Sequence, residues 1–292
     1  MSTAKLAHLT DRGVMRIAGS DAVTLLDGLV TNALGSLDTH AAIHTGLLSP
    51  QGKILFDFFI VREGDGLLVE TERSQIQGLT QRLTFYRLRA DVTFEDLSDA
   101  LAVVAAWDQP TSPPGGIIAF SDPRHPDLGQ RLILPIARLP ELAGERLDAE
   151  AYHAHRIAVG VPEVSHDYPL GDTFPHEALY DQLASVDFRK GCYIGQEVVS
   201  RMQHRGTARK RIVPVTGDNN LTASADIAAG DASVGKIGSV AGSRGLALVR
   251  LDRAHEAVAK GIVLTANGVP ISVVKPAWLE LDMATGKAVA SS

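Results

Sequence analysis

Thiols are almost absent from this chain: among 292 residues only Cys192 carries one. An internal disulfide is therefore excluded, as is a metal-cluster site built from four cysteines of the same chain. No uninterrupted apolar run approaches the roughly 20 residues of a membrane-spanning helix. Residues Met1 to Thr10 lack the basic start and apolar core of a secretory signal. Together these absences give an expectation of a reducing, cytoplasmic setting with no membrane partner. Positive charge is also in deficit, with 28 lysines and arginines against 34 acids and a formal net charge of −6. That balance argues against nucleic-acid binding by the molecule as a whole. No second histidine follows His176 at metal-ligand spacing, so no metal site is read from histidines.

What is present is ordinary in bulk: 45% hydrophobic and 21% charged residues suit a globular chain with real cores. The single thiol sits in Lys190-Gly191-Cys192-Tyr193-Ile194-Gly195-Gln196-Glu197. Two glycines around Cys-Tyr-Ile, running into Gln-Glu-Val-Val, predict a tight turn that opens a helix. Glu197 falls in the first turn, where a negative charge suits the dipole. Cys192, at or just before the helix start and behind Arg189 and Lys190, has surroundings that favour a thiolate. A buried cysteine packed as a small hydrophobe is the bland alternative. Polar, basic and glycine-rich neighbours are poor packing material and favour a functional thiol.

In chain order, residues 13–18 alternate as a strand, and Asp21 can cap a helix over 22–30. Residues 43–48 and 53–62 predict a hairpin turning at Pro50-Gln51-Gly52. In its second strand Ile54, Phe56, Phe58 and Ile60 share one face, and Leu55, Asp57, Phe59 and Val61 the other. Asp57 is thus an ionisable group in an otherwise apolar run, and must be solvated in a cleft, paired or protonated. A helix over 73–89 and strands at 92–95, 101–107, 117–120 and 131–134 surround a Pro/Gly-rich loop at 108–116. This alternation is an α+β signature of the split βαβ kind. Asp148 can cap a helix over 149–159 that carries Tyr152, and Pro175 can fill the first turn of a helix holding Glu177.

From Arg189 to Arg211 seven lysines and arginines, Arg201 among them, face one acid, Glu197. Such a run is either a solvated face or a dock for an acidic ligand tail, phosphates or an acidic partner. Direct RNA binding is possible but not indicated, because exposed aromatics are not interleaved. Short strands at 212–215, 232–240, 246–251, 262–266 and 270–274 then predict a small antiparallel barrel. The expected domains are 1–204 and 205–292.

The segment Lys190 to Glu197 resembles the K-G-C-Y-x-G-Q-E signature of the YgfZ-type folate-binding proteins. These are relatives of the glycine-cleavage T-protein that support iron–sulfur enzyme maturation and some tRNA modification. Leu25 to Asn32 resembles that family's F-L-Q-G-x-x-T-N element, and Phe174 to Glu177 its F-P-x-E element. The resemblance implies a T-protein-like multi-lobe α+β fold with a ferredoxin-like split βαβ unit and a C-terminal antiparallel β-barrel. It implies a bound tetrahydrofolate or derivative, and iron–sulfur client enzymes or assembly proteins as partners. Cys192 and Lys190 would be the working groups, with Asp57, Tyr152, Glu177 and Arg201 as folate contacts. T-proteins carry an Asp-Asp pair where this chain has Phe56-Asp57. The resemblance therefore favours an accessory factor without ordinary turnover, the alternative being a folate-dependent aminomethyl or one-carbon transferase.

Overall fold

The computed structural model describes residues 3–206 and 208–289. Contacts divide the chain into two units, residues 1–50, 55–152 and 183–194 in one, and 51–54, 153–182 and 195–292 in the other. In chain order the first unit holds β1 (Lys5–His8), β2 (Arg12–Ala18), α1 (Ala22–Asp27), β3 (Ala42–Leu48), β4 (Ile54–Glu63), β5 (Gly66–Glu72) and α2 (Ile76–Arg87). It continues with β6 (Thr93–Asp96), β7 (Leu101–Trp107), β8 (Ile118–Ser121), β9 (Gln130–Pro135) and β10 (Glu145–Leu147). Helix α3 (Ala149–Val159) carries the chain across the division after Tyr152.

Two five-stranded sheets form in this unit, with orders β3-β4-β5-β2-β6 and β10-β1-β7-β9-β8. The alternation in β4 decides their packing. Phe56, Phe58 and Ile60 turn to a core shared with Leu26 of α1 and with Ile76, Leu79 and Leu83 of α2. Spacing of three and four residues puts those α2 side chains on one face. Phe59 and Val61 turn to the opposite core, where Val103, Ala105 and Ile133 of the second sheet and Tyr152 meet them. Strands β1 and β10 were not anticipated; at four and three residues each they are too short for alternation to register. Helix α1 stops at Asp27 rather than running to Val30, because Val30 bridges to Leu47 of β3.

Between the two sheets, where the pattern calls for apolar side chains, lies a buried ionic network. Glu70 accepts from Arg12 and Arg131, and Asp122 accepts from Arg124 and Arg131. The Arg131 and Arg124 guanidinium groups stand 4.4 and 4.8 Å from the Phe59 ring centroid, the stacking geometry that suits a weakly hydrated cation.

The second unit contains the remainder of α3, a run of turns, α4 (Gln196–Arg205) and a closed barrel. The barrel strands are β11 (Lys210–Gly217), β12 (Asp226–Ala229), β13 (Ala232–Ala241), β14 (Arg244–Arg250), β15 (Leu264–Ala266) and β16 (Val269–Val273). Their cyclic order is β11-β14-β13-β12-β15-β16, and every pair is antiparallel. The expectations of an α+β fold and a C-terminal antiparallel barrel hold. Helix α5 (Leu251–Ala259) was not anticipated, although Leu251, Ala254 and Ala257, all buried, carry its period. No helix forms after Pro175: residues 175–184 are successive turns, with Leu179 and Ala184 at φ of 63° and 50°. Left-handed backbone at non-glycine positions ends helical propagation there. Arg211 of β11 is buried and donates to Asp181 and to the carbonyls of His176 and Gly286, fastening these turns to the barrel.

Burial alone would push the Asp122 carboxyl up, but the Arg124 charge and hydrogen bonds, with Arg131, hold it down to about 2. A carboxyl depressed by folding stabilises the fold above its ordinary range and loses that contribution as pH falls. About 2 kcal/mol is expected to disappear between about pH 4 and pH 2, read as a falling urea midpoint. Asp122→Ala, which strands Arg124 and Arg131, is expected to cost about 3–5 kcal/mol at neutral pH. A loss under about 1 kcal/mol in the same denaturation would show that the network is dispensable.

Candidate functional site

Residues 183–194 leave the second unit's chain and return to the first. Short polar contacts hold them there. Asn32 Nδ2 donates to the Ala184 carbonyl at 2.7 Å and to the His44 carbonyl at 3.1 Å. Thr31 Oγ1 donates to the Ser185 carbonyl at 2.7 Å, and the Asp187 amide to the Thr31 carbonyl at 3.0 Å. Lys190 completes the attachment. Its Nζ donates to the carbonyls of Asp27, Val30 and Asn32 at 2.7, 2.8 and 3.0 Å. Carbonyls at and beyond a helix C-terminus lack intrahelical partners and carry partial negative charge, so a cation with three donors satisfies them directly. The Lys190 side chain is only 2% exposed. Burial draws its pKa down, and the Asp27 carboxylate, 3.6 Å away, opposes that.

The signature around the thiol reads as anchors and a gap. Lys190 is the anchor on one side. On the other, Tyr193 is buried, with its phenol pushed up to about 12 by burial and by Asp187, and Ile194 packs against the α1–α2 core. Between them Gly191 and Cys192 are exposed. Gly195 then takes φ 81° as the N-cap of α4, a left-handed conformation that costs glycine little. Of the two expected places for Cys192, at the helix start or just before it, the structure shows the second: it lies three residues ahead of the cap, outside the first turn.

Asp57 is 4% exposed on the inter-sheet face of β4, together with Phe59 and Val61. Its Oδ2 lies 3.1 Å from His44 Nε2. His44 Nδ1 lies 2.7 Å from Ser185 Oγ, and that hydroxyl donates to the Leu183 carbonyl at 3.0 Å. The carboxylate and the thiol turn thus share one support, the stretch from Leu183 to Lys190. His44 was missed in the sequence. Its signal was there, since it is the ionisable residue in the otherwise uncharged run Ala42–Leu48.

Tyr152 is fully buried; its ring stands 5.7 Å from Trp107, and its hydroxyl accepts from Arg131 at 3.3 Å. Glu177 and Arg201 belong to the second unit. Glu177 accepts from the Phe174 amide at 2.9 Å, closing a turn. Arg201 pairs with Glu197 one helical turn earlier and is 54% exposed. The basic run does not act as one surface: Lys190 and Arg211 are buried in structural roles, and Arg205, Arg209 and Lys210 are exposed.

Residues 209–281 match the family described as the CAF17 C-terminal beta-barrel domain. The fold resembles that of glycine cleavage system aminomethyltransferase T from Bartonella henselae, with a TM-score of 0.75 over 99% of this chain and 88% of that one at 15% identity. In sequence the chain is 38% identical over 232 residues to a mitochondrial iron–sulfur cluster assembly factor IBA57 homolog of Mycosarcoma maydis, covering 74% of this chain and 58% of that protein. The homolog of Pyricularia oryzae is 34% identical over 73% of this chain and 57% of its own length. The chain thus spans little more than half of those two relatives. All three IBA57 homologs compared are named as mitochondrial, which overturns the expectation of a cytoplasmic location. The homolog of Chaetomium globosum is 30% identical over 88% of this chain and 74% of its own length, and on that coverage the chain belongs to the IBA57 family of iron–sulfur cluster assembly factors.

Proposed function

We propose that this protein is a folate-binding accessory factor of the YgfZ type that supports assembly or repair of iron–sulfur proteins, and through such clients tRNA modification. The observation that carries the reading is the exposed Cys192, gripped on one side by Lys190 and on the other by Tyr193 and Ile194. A thiol held out this way suits transient ligation of a cluster or exchange with a partner's thiol. One cysteine supplies one ligand, so the rest come from the partner or client that owns the cluster. Lys190 is here a positioning residue, since its three donors are taken by carbonyls.

Tetrahydrofolate fits the donors in part. Asp57 offers a carboxylate beside the His44 imidazole on the inter-sheet face of β4, a group able to accept from the paired N–H groups of a pterin. Tyr152 supports that face from within the core rather than from its surface. Glu177 and Arg201 belong to the other unit, where Glu177 closes a turn with the Phe174 amide and Arg201 pairs with Glu197, and they are not part of this proposed site. The folate would supply a reduced one-carbon carrier.

In cells lacking this protein, Cys192→Ala is expected to fold with an unchanged melting temperature yet fail to restore the activity of an iron–sulfur enzyme that wild type restores. Equal rescue by both would make the thiol structural and direct attention to one-carbon transfer at Asp57. In calorimetric titration with tetrahydrofolate, Asp57→Asn is expected to weaken binding by about tenfold or more, with a smaller effect on melting. Unchanged affinity beside a collapsed melting temperature would assign Asp57 to the fold alone.

A further inference from the structure

The barrel unit carries a cationic furrow that the thiol and folate chemistry does not use. Three clefts of about 390, 440 and 380 Å³ adjoin along it. The first and second share Met202 and Ala208, and the second and third share Lys210 and Arg250. Each alone is of small-ligand size, and joined they suit an extended chain. Arg205 and Lys287 stand at one end, Lys210 and Arg250 in the middle, Lys236 and Arg253 at the other. Against them stand Asp226 and Glu177, the latter already bonded to the Phe174 amide, while Asp252 is engaged by Arg250 and Arg209. Lys210, Lys236 and Arg253 are exposed and make no ion pair with any described residue.

Strand register shows that this clustering opposes stability. Lys210 of β11 lies directly across from Arg250 of β14, and Lys236 of β13 lies across from Leu248, two residues before Arg250. Alternation places all three cations on one face of the β11-β14-β13 strip. Like charges directly opposite on paired strands are unfavourable, and on a protein with six surplus negative charges nothing in the overall balance calls for it. A ligand suited to this face is anionic. The floor is aliphatic, formed by Val198, Met202, Ala208 and Val234. Its aromatic member is Phe174, whose ring already holds the Lys53 ammonium 3.6 Å from its centroid. Bases in single strands are held by free aromatic faces, which this furrow does not offer. Aliphatic side chains between carboxylates match both the floor and the rim.

We infer that the furrow is a docking surface for an extended acidic polypeptide segment of a protein partner, one that alternates carboxylate and aliphatic side chains. Fluorescence anisotropy with a fluorescein-labelled peptide of alternating glutamate and leucine tests it on the full chain. Wild type is expected to bind with an affinity that falls as salt rises, and more tightly than it binds an alternating glutamate–serine peptide or polyuridine RNA. The triple variant Lys210→Glu, Lys236→Glu, Arg253→Glu is expected to lose at least about tenfold. Lys210→Glu alone is expected to raise the melting temperature, by facing Arg250 with an opposite charge, while weakening the peptide. Should the triple variant melt early, Lys236→Glu carries the test by itself. The proposal is overturned by no binding to wild type, by RNA or the serine peptide binding as tightly, or by charge reversal that leaves affinity unchanged.

Discussion

The Lys190 ammonium, bonded to the carbonyls of Asp27, Val30 and Asn32, ties together stretches of chain about 160 residues apart. Helix α1 is six residues long and the chain leaves it through the irregular stretch 28–33, so the carbonyls of Asp27, Val30 and Asn32 meet at one ammonium. A compact ammonium can address three oxygens at once. A guanidinium, planar and forked, matches two parallel acceptors instead. Bonds to a charged donor contribute about 1.5–3 kcal/mol each, and desolvating the ammonium takes back a large part. The interaction therefore specifies geometry more than it adds stability: it sets where the chain must pass before Gly191 and Cys192 can stand in solvent.

Two further features depend on the same passage. Asn32 and Thr31 fasten Ala184 and Ser185, and Ser185 holds His44, which faces Asp57. A buried carboxylate and an exposed thiol thus rest on one stretch of eight residues, Leu183 to Lys190, so a shift of that stretch is felt at both. The Arg12, Glu70, Arg131, Asp122 and Arg124 network acts at the level below. It locks the two sheets in register around Phe59 by requiring every charge to find its partner. An apolar core of equal volume would bind the sheets as well, with fewer constraints on how they align.

Much of the first unit was legible from alternation alone. The two faces of β4 sort Phe56, Phe58 and Ile60 from Phe59 and Val61 as period two requires, and Asp57 stood out because it broke that pattern. The exposed Cys192 was legible from its glycine-rich, basic neighbours. Lys190 and Arg211 were not, because a charge run gives no sign of which members turn inward; only the distant carbonyls of residues 27–32 and the turn at His176–Asp181 decide that. Likewise His44 acquires meaning only when Ser185, far away in sequence, arrives beside it. Helix α5 was hidden by a short apolar period following directly on a strand, and the turns after Pro175 by a helix-start signal that the left-handed Leu179 cancels. In each case the deciding partner is remote in sequence or the local signal is shared by two structures.

Amide hydrogen exchange on Lys190→Met shows whether the ammonium holds the thiol turn, since methionine keeps the bulk of the side chain and removes its three donors. Exchange is expected to quicken at Thr31 and Asp187 and through residues 183–190, with protection in the barrel strands β11, β13 and β14 unchanged. Exchange at residues 27–34 and 183–190 identical to wild type would overturn it, and would mean that the hydrogen bonds of Thr31 and Asn32 hold the thiol turn without the ammonium.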